Sequence, residues 1–222
     1  MLGPTIDING TDVTGALNCS AAGTLTSCEG AGFSTAGYSL DAWQLFFDQD
    51  PSISGSFTLT NLSPNVQTFT ISASLFVGPI ASPISVNGSL GAGTLTDANG
   101  GGAELKTVAP IALYTARIDG SAVQTLLDDP QDFVVPVGPT GGGGGSVNIG
   151  PASFGPNVLA QPVNSLIGTA FEFTLTGGDT VFLPFAFSAD PTNPNPVPEP
   201  ATFALVAIGL AGFAFSRRKR TT

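Results

Sequence analysis

The sequence predicts an all-β fold: an antiparallel β-sandwich of Ig-like or jelly-roll type, followed by a single C-terminal transmembrane helix. Three observations carry this. Runs such as Ser52 to Asn61 and Val66 to Val77 alternate apolar and hydroxyl side chains with a period of two, the signature of strands with one buried face. The chain holds 29 glycines and 18 prolines among 222 residues, so turns recur at short intervals. No amphipathic helical stretch separates the strands, which argues against parallel crossover units, and no fixed repeat points to a β-helix.

In chain order, Cys19 and Cys28 come first, with Gly23 between them for a turn. They are the only cysteines, and in an oxidising compartment they are expected to form a local disulfide. Tyr38 to Phe47 reads as a strand with Trp43, the only tryptophan, as an anchor. Asp48 to Pro51 turns the chain. In Ser52 to Asn61, Ile53, Phe57 and Leu59 share one face. After a turn at Leu62 to Asn65, Phe69, Ile71, Ala73 and Leu75 share one face of Val66 to Val77. These two runs read as an antiparallel hairpin. Pro79 and Pro83 interrupt the pattern.

Ile84 to Thr96 is expected to be one strand with Gly88 and Gly91 as bulge or twist points. Asp97 to Gly102 is a turn, and 103–108 and 111–118 are strands. Gly120 to Asp128 carries Val123, Leu126 and Leu127 at a spacing that suits a short helical turn. Gly141 to Gly145 forms a linker or long loop, and Ser146 to Phe154 a weak strand. The runs 168–176 and 180–188 flank Gly177-Gly178-Asp179 and read as the clearest hairpin. Asp190 to Pro196 is a Pro/Asn linker. The sandwich domain is accordingly placed at 1–189, the linker at 190–196 and a distinct tail at 197–222.

Net charge is −10, but four of the six cations lie in the tail. The body keeps only Lys106 and Arg117 against fifteen acids, which disfavours nucleic acid as a partner. There is no histidine, which removes Ser-His-Asp and Cys-His catalysis and the commonest zinc ligand. We therefore expect no enzyme, no cofactor and no metal site. The acids of Asp48/Asp50 and Asp128/Asp129/Asp132 read as solvated turns, and Asp97-x-Asn99-Gly100 with Glu104 fails the twelve-residue EF-hand pattern. Five Thr-x-Thr units begin at Thr24, Thr58, Thr68, Thr94 and Thr174. An ice-binding surface would need them in register on one flat face. A carbohydrate-binding module, with Ca²⁺ as a possible support, would need exposed aromatics in a row, with Trp43, Tyr38 and Tyr114 as the candidates.

The tail has its own logic. Val197-Pro198-Glu199-Pro200-Ala201-Thr202 precedes an unbroken apolar and glycine run, then Arg217, Arg218, Lys219 and Arg220. As a helix, 201–216 spans about 24 Å at 1.5 Å per residue. That is short of a bilayer core of roughly 30 Å, by an amount that snorkelling cations make up. The four cations act as a cytoplasmic stop, so the body is expected outside. Met1 to Asp7 lacks the basic and apolar regions of a signal peptide. Either such a peptide precedes Met1, the reading we favour, or the tail inserts alone, which would push the cations outward.

Pro198, Glu199 and Pro200, the short apolar helix and the Arg-rich end together resemble the PEP-CTERM sorting signal. The resemblance covers about the last twenty-six residues. The same tail is also catalogued as an ice-binding-protein C-terminal domain, a label that concerns the tail alone. The resemblance implies export in a Gram-negative bacterium that makes exopolysaccharide, and recognition of the Pro-Glu-Pro motif by an exosortase. It implies inner-membrane anchoring with the body in the periplasm, then transfer to the cell surface, the biofilm matrix or the medium. The body is expected to be structural or adhesive, with exopolysaccharide as a possible partner.

Overall fold

Alternation decides the architecture, because every strand with one greasy face must bury it against another such face. The computed structural model describes residues 4–16, 18–138 and 144–192. Contacts divide the chain into two units, Met1–Pro191 and Thr192–Thr222. The first holds all described strands; of the second only Thr192 is described. The transmembrane segment 201–216 and the sorting residues lie outside the described residues.

Among the described residues, seventeen strands and one 3₁₀ turn, Thr14–Ala16, follow in order. They are β1 Thr5–Ile8, β2 Thr11–Asp12, β3 Asn18–Ala22, β4 Leu25–Ser34, β5 Tyr38–Asp48 and β6 Ser52–Asn61. Next come β7 Gln67–Phe76, β8 Ile84–Leu90, β9 Gly93–Thr96, β10 Ala103–Thr107, β11 Tyr114–Ile118 and β12 Ser121–Leu126. The last are β13 Asp132–Val135, β14 Ser146–Ile149, β15 Ala152–Leu159, β16 Leu166–Leu175 and β17 Thr180–Pro191. An eight-stranded sheet runs β12-β11-β16-β7-β1-β2, with β10 also beside β16 and β13 beside β10. A nine-stranded sheet runs β14-β9-β17-β6-β5-β4-β3, with β8 also beside β17 and β15 beside β8. The ladders at the heart of both are antiparallel, as the sequence predicts.

The two sheets share one core. At its centre Phe171 of β16 meets Phe57 of β6 at 5.1 Å and Phe185 of β17 at 5.0 Å, both edge-on. Tyr114 of β11 stacks edge-on to Phe171 at 5.3 Å. Its hydroxyl crosses the core and donates to the Ala186 carbonyl of β17 at 3.1 Å. A buried phenol needs such a partner, and burial also pushes its pKa far above the ordinary value.

The structure corrects several local expectations. The two expected hairpins are arches between sheets: β6 lies in the nine-stranded sheet and β7 in the eight-stranded one, and β16 and β17 divide in the same way. Burial is served either way. Each of these strands carries a full apolar face, and a sequence neighbour across the core covers that face as well as the sheet opposite a hairpin would, so alternation allows both arrangements. The turn Thr176 to Asp179 docks on the end of β6, with Asn61 N–H donating to Asp179 O and Gly178 N–H to Asn61 O. Gly177 is required there, since a Cβ would sit 2.4 Å from Ser63 O.

Gly120 to Asp128 is not helical. β11 and β12 form a hairpin with Ile118 opposite Ser121. Asp119 and Gly120 supply φ values of 49° and 81°, the two positive angles a type I′ turn needs. The expected strand 84–96 is two strands, β8 and β9, which share one flank of β17. Pro184 of β17 explains the gap. Its carbonyl accepts from Gly91 N–H at 2.8 Å. Its missing N–H therefore faces the point where β8 has ended and β9 has not begun, the place a mid-sheet proline is tolerated. The expected strand 146–154 likewise splits at Gly150-Pro151 into β14 and β15. β17 runs through Asp190 and Pro191.

Candidate functional site

The outer face of the nine-stranded sheet follows directly from strand alternation. β6 turns Ile53, Phe57 and Leu59 into the core, which leaves Ser52, Ser54, Ser56, Thr58 and Thr60 outside. β17 buries Val181, Leu183, Phe185 and Phe187, which leaves Thr180, Phe182, Pro184, Ala186 and Ser188 outside. β8 buries Ile84, Val86 and Leu90 and shows Ser85, Asn87 and Ser89. Cross-strand register then sets these residues in rows. Ser52 is opposite Ser188, and Ser188 is opposite Asn87. Ser54 is opposite Ala186, and Ala186 is opposite Ser89.

Because these side chains are small, the face sinks into a trough of about 300 Å³ over β6, β17 and β8. On the β5 side, Phe46 stands opposite Ser54 and Asp48 opposite Ser52. Ser188 Oγ donates to Asp190 Oδ2 at 3.1 Å. Farther along the face, the Thr60 hydroxyl lies 2.8 Å from that of Thr180 and 2.6 Å from Asp41 Oδ2. Phe182 is 36 % exposed beside them.

A second cluster lies at one end of the sandwich. Asp97 and Asp179 are 2 % and 0 % exposed. Asp97 accepts from Gly100 N–H at 2.7 Å and Gly102 N–H at 3.1 Å. Asp179 accepts from Ala98 N–H at 3.4 Å and from the Thr176 hydroxyl. Burial raises the Asp179 carboxyl above its ordinary value, and the neighbouring Asp97 charge adds to this. The carboxylate oxygens are engaged by loop donors, so the pair fastens loops 97–102 and 176–179 together. Among the described residues no three Cys, Asp or Glu side chains converge into a metal-holding group.

Cys19 and Cys28 face each other in the β3–β4 register and form a disulfide. The sugar-binding candidates lie elsewhere than that reading needs. Trp43 is 5 % and Tyr114 0 % exposed. Tyr38 is half-buried and packs edge-on against Phe69 at 5.9 Å. The Thr-x-Thr units do not share a face. Those at Thr58 and Thr94 lie on the outside of the nine-stranded sheet, while Thr68 and Thr174 pair on the other sheet. Thr24 sits in the β3–β4 turn. Asp48 accepts from Asp50 N–H at 3.0 Å, Asp129 accepts from the Thr107 hydroxyl at 2.7 Å, and Asp132 is 3.7 Å from Lys106. The sequence reading missed the trough, although its signal was present: the first three outward positions of β6 are Ser52, Ser54 and Ser56, and those of β8 are Ser85, Asn87 and Ser89.

Pro198, Glu199, Pro200, Arg217, Arg218, Lys219 and Arg220 lie outside the described residues. Among the described residues no helix is long and apolar enough to cross a membrane. The chain carries a sorting signal at its C-terminal end: the family model described as a PEP-CTERM protein-sorting motif matches residues 196–219. No curated protein sequence matches the chain. The motif marks the chain for processing by an exosortase, and it implies membrane-associated export to a surface or extracellular destination.

Proposed function

We propose that this is an exported β-sandwich held in the inner membrane by residues 201–216, with its body in the periplasm. An exosortase recognises Pro198-Glu199-Pro200 and releases or transfers the body to the cell surface or the exopolysaccharide matrix. There the body acts structurally or adhesively, without catalysis. The observation that carries this reading is the sorting motif at 196–219. Three features of the body support it. The Cys19–Cys28 disulfide suits an oxidising exterior. The acidic body suits a solvated extracellular protein. The lack of histidine leaves no base for the common nucleophilic mechanisms.

The test is fractionation of cells that carry Glu199→Ala with Pro200→Ala. The unmodified chain is expected at the surface or in the medium, and the double variant in the inner-membrane fraction. An identical distribution of the two would contradict the reading.

A further inference from the structure

We propose that the trough over β6, β17 and β8 binds a neutral polysaccharide. This goes beyond the sorting reading and does not rest on it, since a tail can be processed whether or not the body binds sugar.

Several polar side chains of the trough have hydrogen-bonding capacity that the protein does not use. Ser52, Ser54, Ser89 and Asn87 line the trough. Among the described residues their side chains make no hydrogen bond within the protein, while Ser188 reaches Asp190. Each hydroxyl offers one donor and acceptor lone pairs, and the amide offers both kinds. Ser52 and Ser54 on β6 face Asn87 and Ser89 on β8 across the intervening β17, about 9.6 Å apart over two strand spacings, and the two residues of each pair stand about 7 Å apart along their strand. A ligand that satisfies them must be dense in hydroxyls on a similar pitch, which describes a chain of sugar rings.

Phe46 adds the second element. It stands on the outer face opposite Ser54, at the head of the row Ser54, Ala186, Ser89. A phenyl face takes the C–H side of a pyranose ring, and the small Ala186 lets the chain lie close to the sheet. The trough's volume of about 300 Å³ is at the lower end of ligand-site sizes, which suits a short stretch of a longer polymer.

Charge selects among polysaccharides. No cation lines the trough, and the two cations of the body, Lys106 and Arg117, belong to strands of the other sheet. Asp48 and Asp190 sit beside it, opposite Ser52 and Ser85 respectively. Uronates, phosphates and sulfated chains are repelled at such a face, and neutral hexose polymers are not.

The test uses the full chain in detergent micelles and affinity electrophoresis through gels that hold dextran, laminarin, galactomannan or, as the charged control, alginate. Mobility is expected to fall in at least one neutral polymer and not in alginate. Phe46→Ala and Asn87→Ala should each weaken retardation by about fivefold, the effect of one lost contact of about 1 kcal/mol. Ala186→Trp should abolish retardation by filling the trough. Thr174→Ala, on the opposite sheet, should leave it unchanged. Thermal melts establish that each variant is folded, and Asn87→Ala decides the matter if Ala186→Trp fails to fold. Retardation by no neutral polymer, equal retardation by alginate, or full retardation of the folded trough variants would overturn the proposal. So would self-association of the chain that Ala186→Trp blocks, since the face would then be an interface between copies.

Discussion

Phe171 is one of the residues through which the two sheets meet. It touches Phe57 and Phe185 on the facing sheet and Tyr114 on its own. Phe171→Ala removes these ring contacts and leaves a cavity, so it should lower unfolding free energy by about 3–5 kcal/mol in urea titration. Two carboxylates give opposite pH signatures. Burial disfavours the charge of Asp119, but hydrogen bonds from the N–H groups of Asn164, Ser165 and Leu166 and from the Asn164 amide outweigh it, and its pKa falls below 3.8. Its contribution is therefore present above the unfolded pKa and is lost as pH falls through the lower folded value. Asp179 is raised above 3.8 by burial and by Asp97. Its contribution is complete below the unfolded pKa and is lost as pH rises through the folded value. In thermal melts across pH, Asp119→Asn should therefore flatten the loss of stability in strong acid. Asp179→Asn should remove a loss that sets in as pH rises above the ordinary carboxylate range. The same slope in both variants as in the parent chain would show that neither group is linked to folding.

At the scale of elements, the β3–β4 hairpin and the arch at Gly177 are the two devices most open to test. The disulfide joins cysteines nine residues apart, so in the chain-entropy view its removal costs about 2.5–3 kcal/mol. Cys19→Ser with Cys28→Ser should lower the urea midpoint accordingly, and reductant should do the same to the parent chain. Gly177→Ala forces a Cβ against Ser63 O and Pro64 and should cost about 1–3 kcal/mol as overpacking, read by the same titration. These elements also show what the sequence could and could not reveal. The inward faces of β6, β7, β16 and β17 were legible, because alternation marks which side of a strand is buried. The pairing of those strands was not, because a strand's pattern is the same whether its neighbour in sequence lies beside it or across the core. The β11–β12 hairpin was legible in principle from Asp119-Gly120, but the spacing of Val123, Leu126 and Leu127 fitted a helix equally well. The trough was hidden for a related reason. Serine on an outward position looks like ordinary solvent exposure until register brings Ser52, Ser188 and Asn87 into one row.

For the molecule as a whole, tail and body were legible to different degrees because different physics acts on them. A sorting peptide and an apolar run work as linear segments, so Pro198-Glu199-Pro200, the run 201–216 and the four cations could be read directly as a pattern, and the motif at 196–219 agrees with the resemblance to a sorting signal. The body's role depends on which strands share a face, which no linear pattern states. The two halves combine in one account: a disulfide-bearing sandwich with an acidic surface, delivered outside the cell and stripped of its address. Mass spectrometry of the C-terminus tests this most directly, with the protein recovered from its host with and without the exosortase. The account predicts a mature chain that ends at or beside Pro198-Glu199-Pro200 when the enzyme is present, and a chain that retains Arg217 to Thr222 when it is deleted. An intact tail in the unmodified host would contradict it.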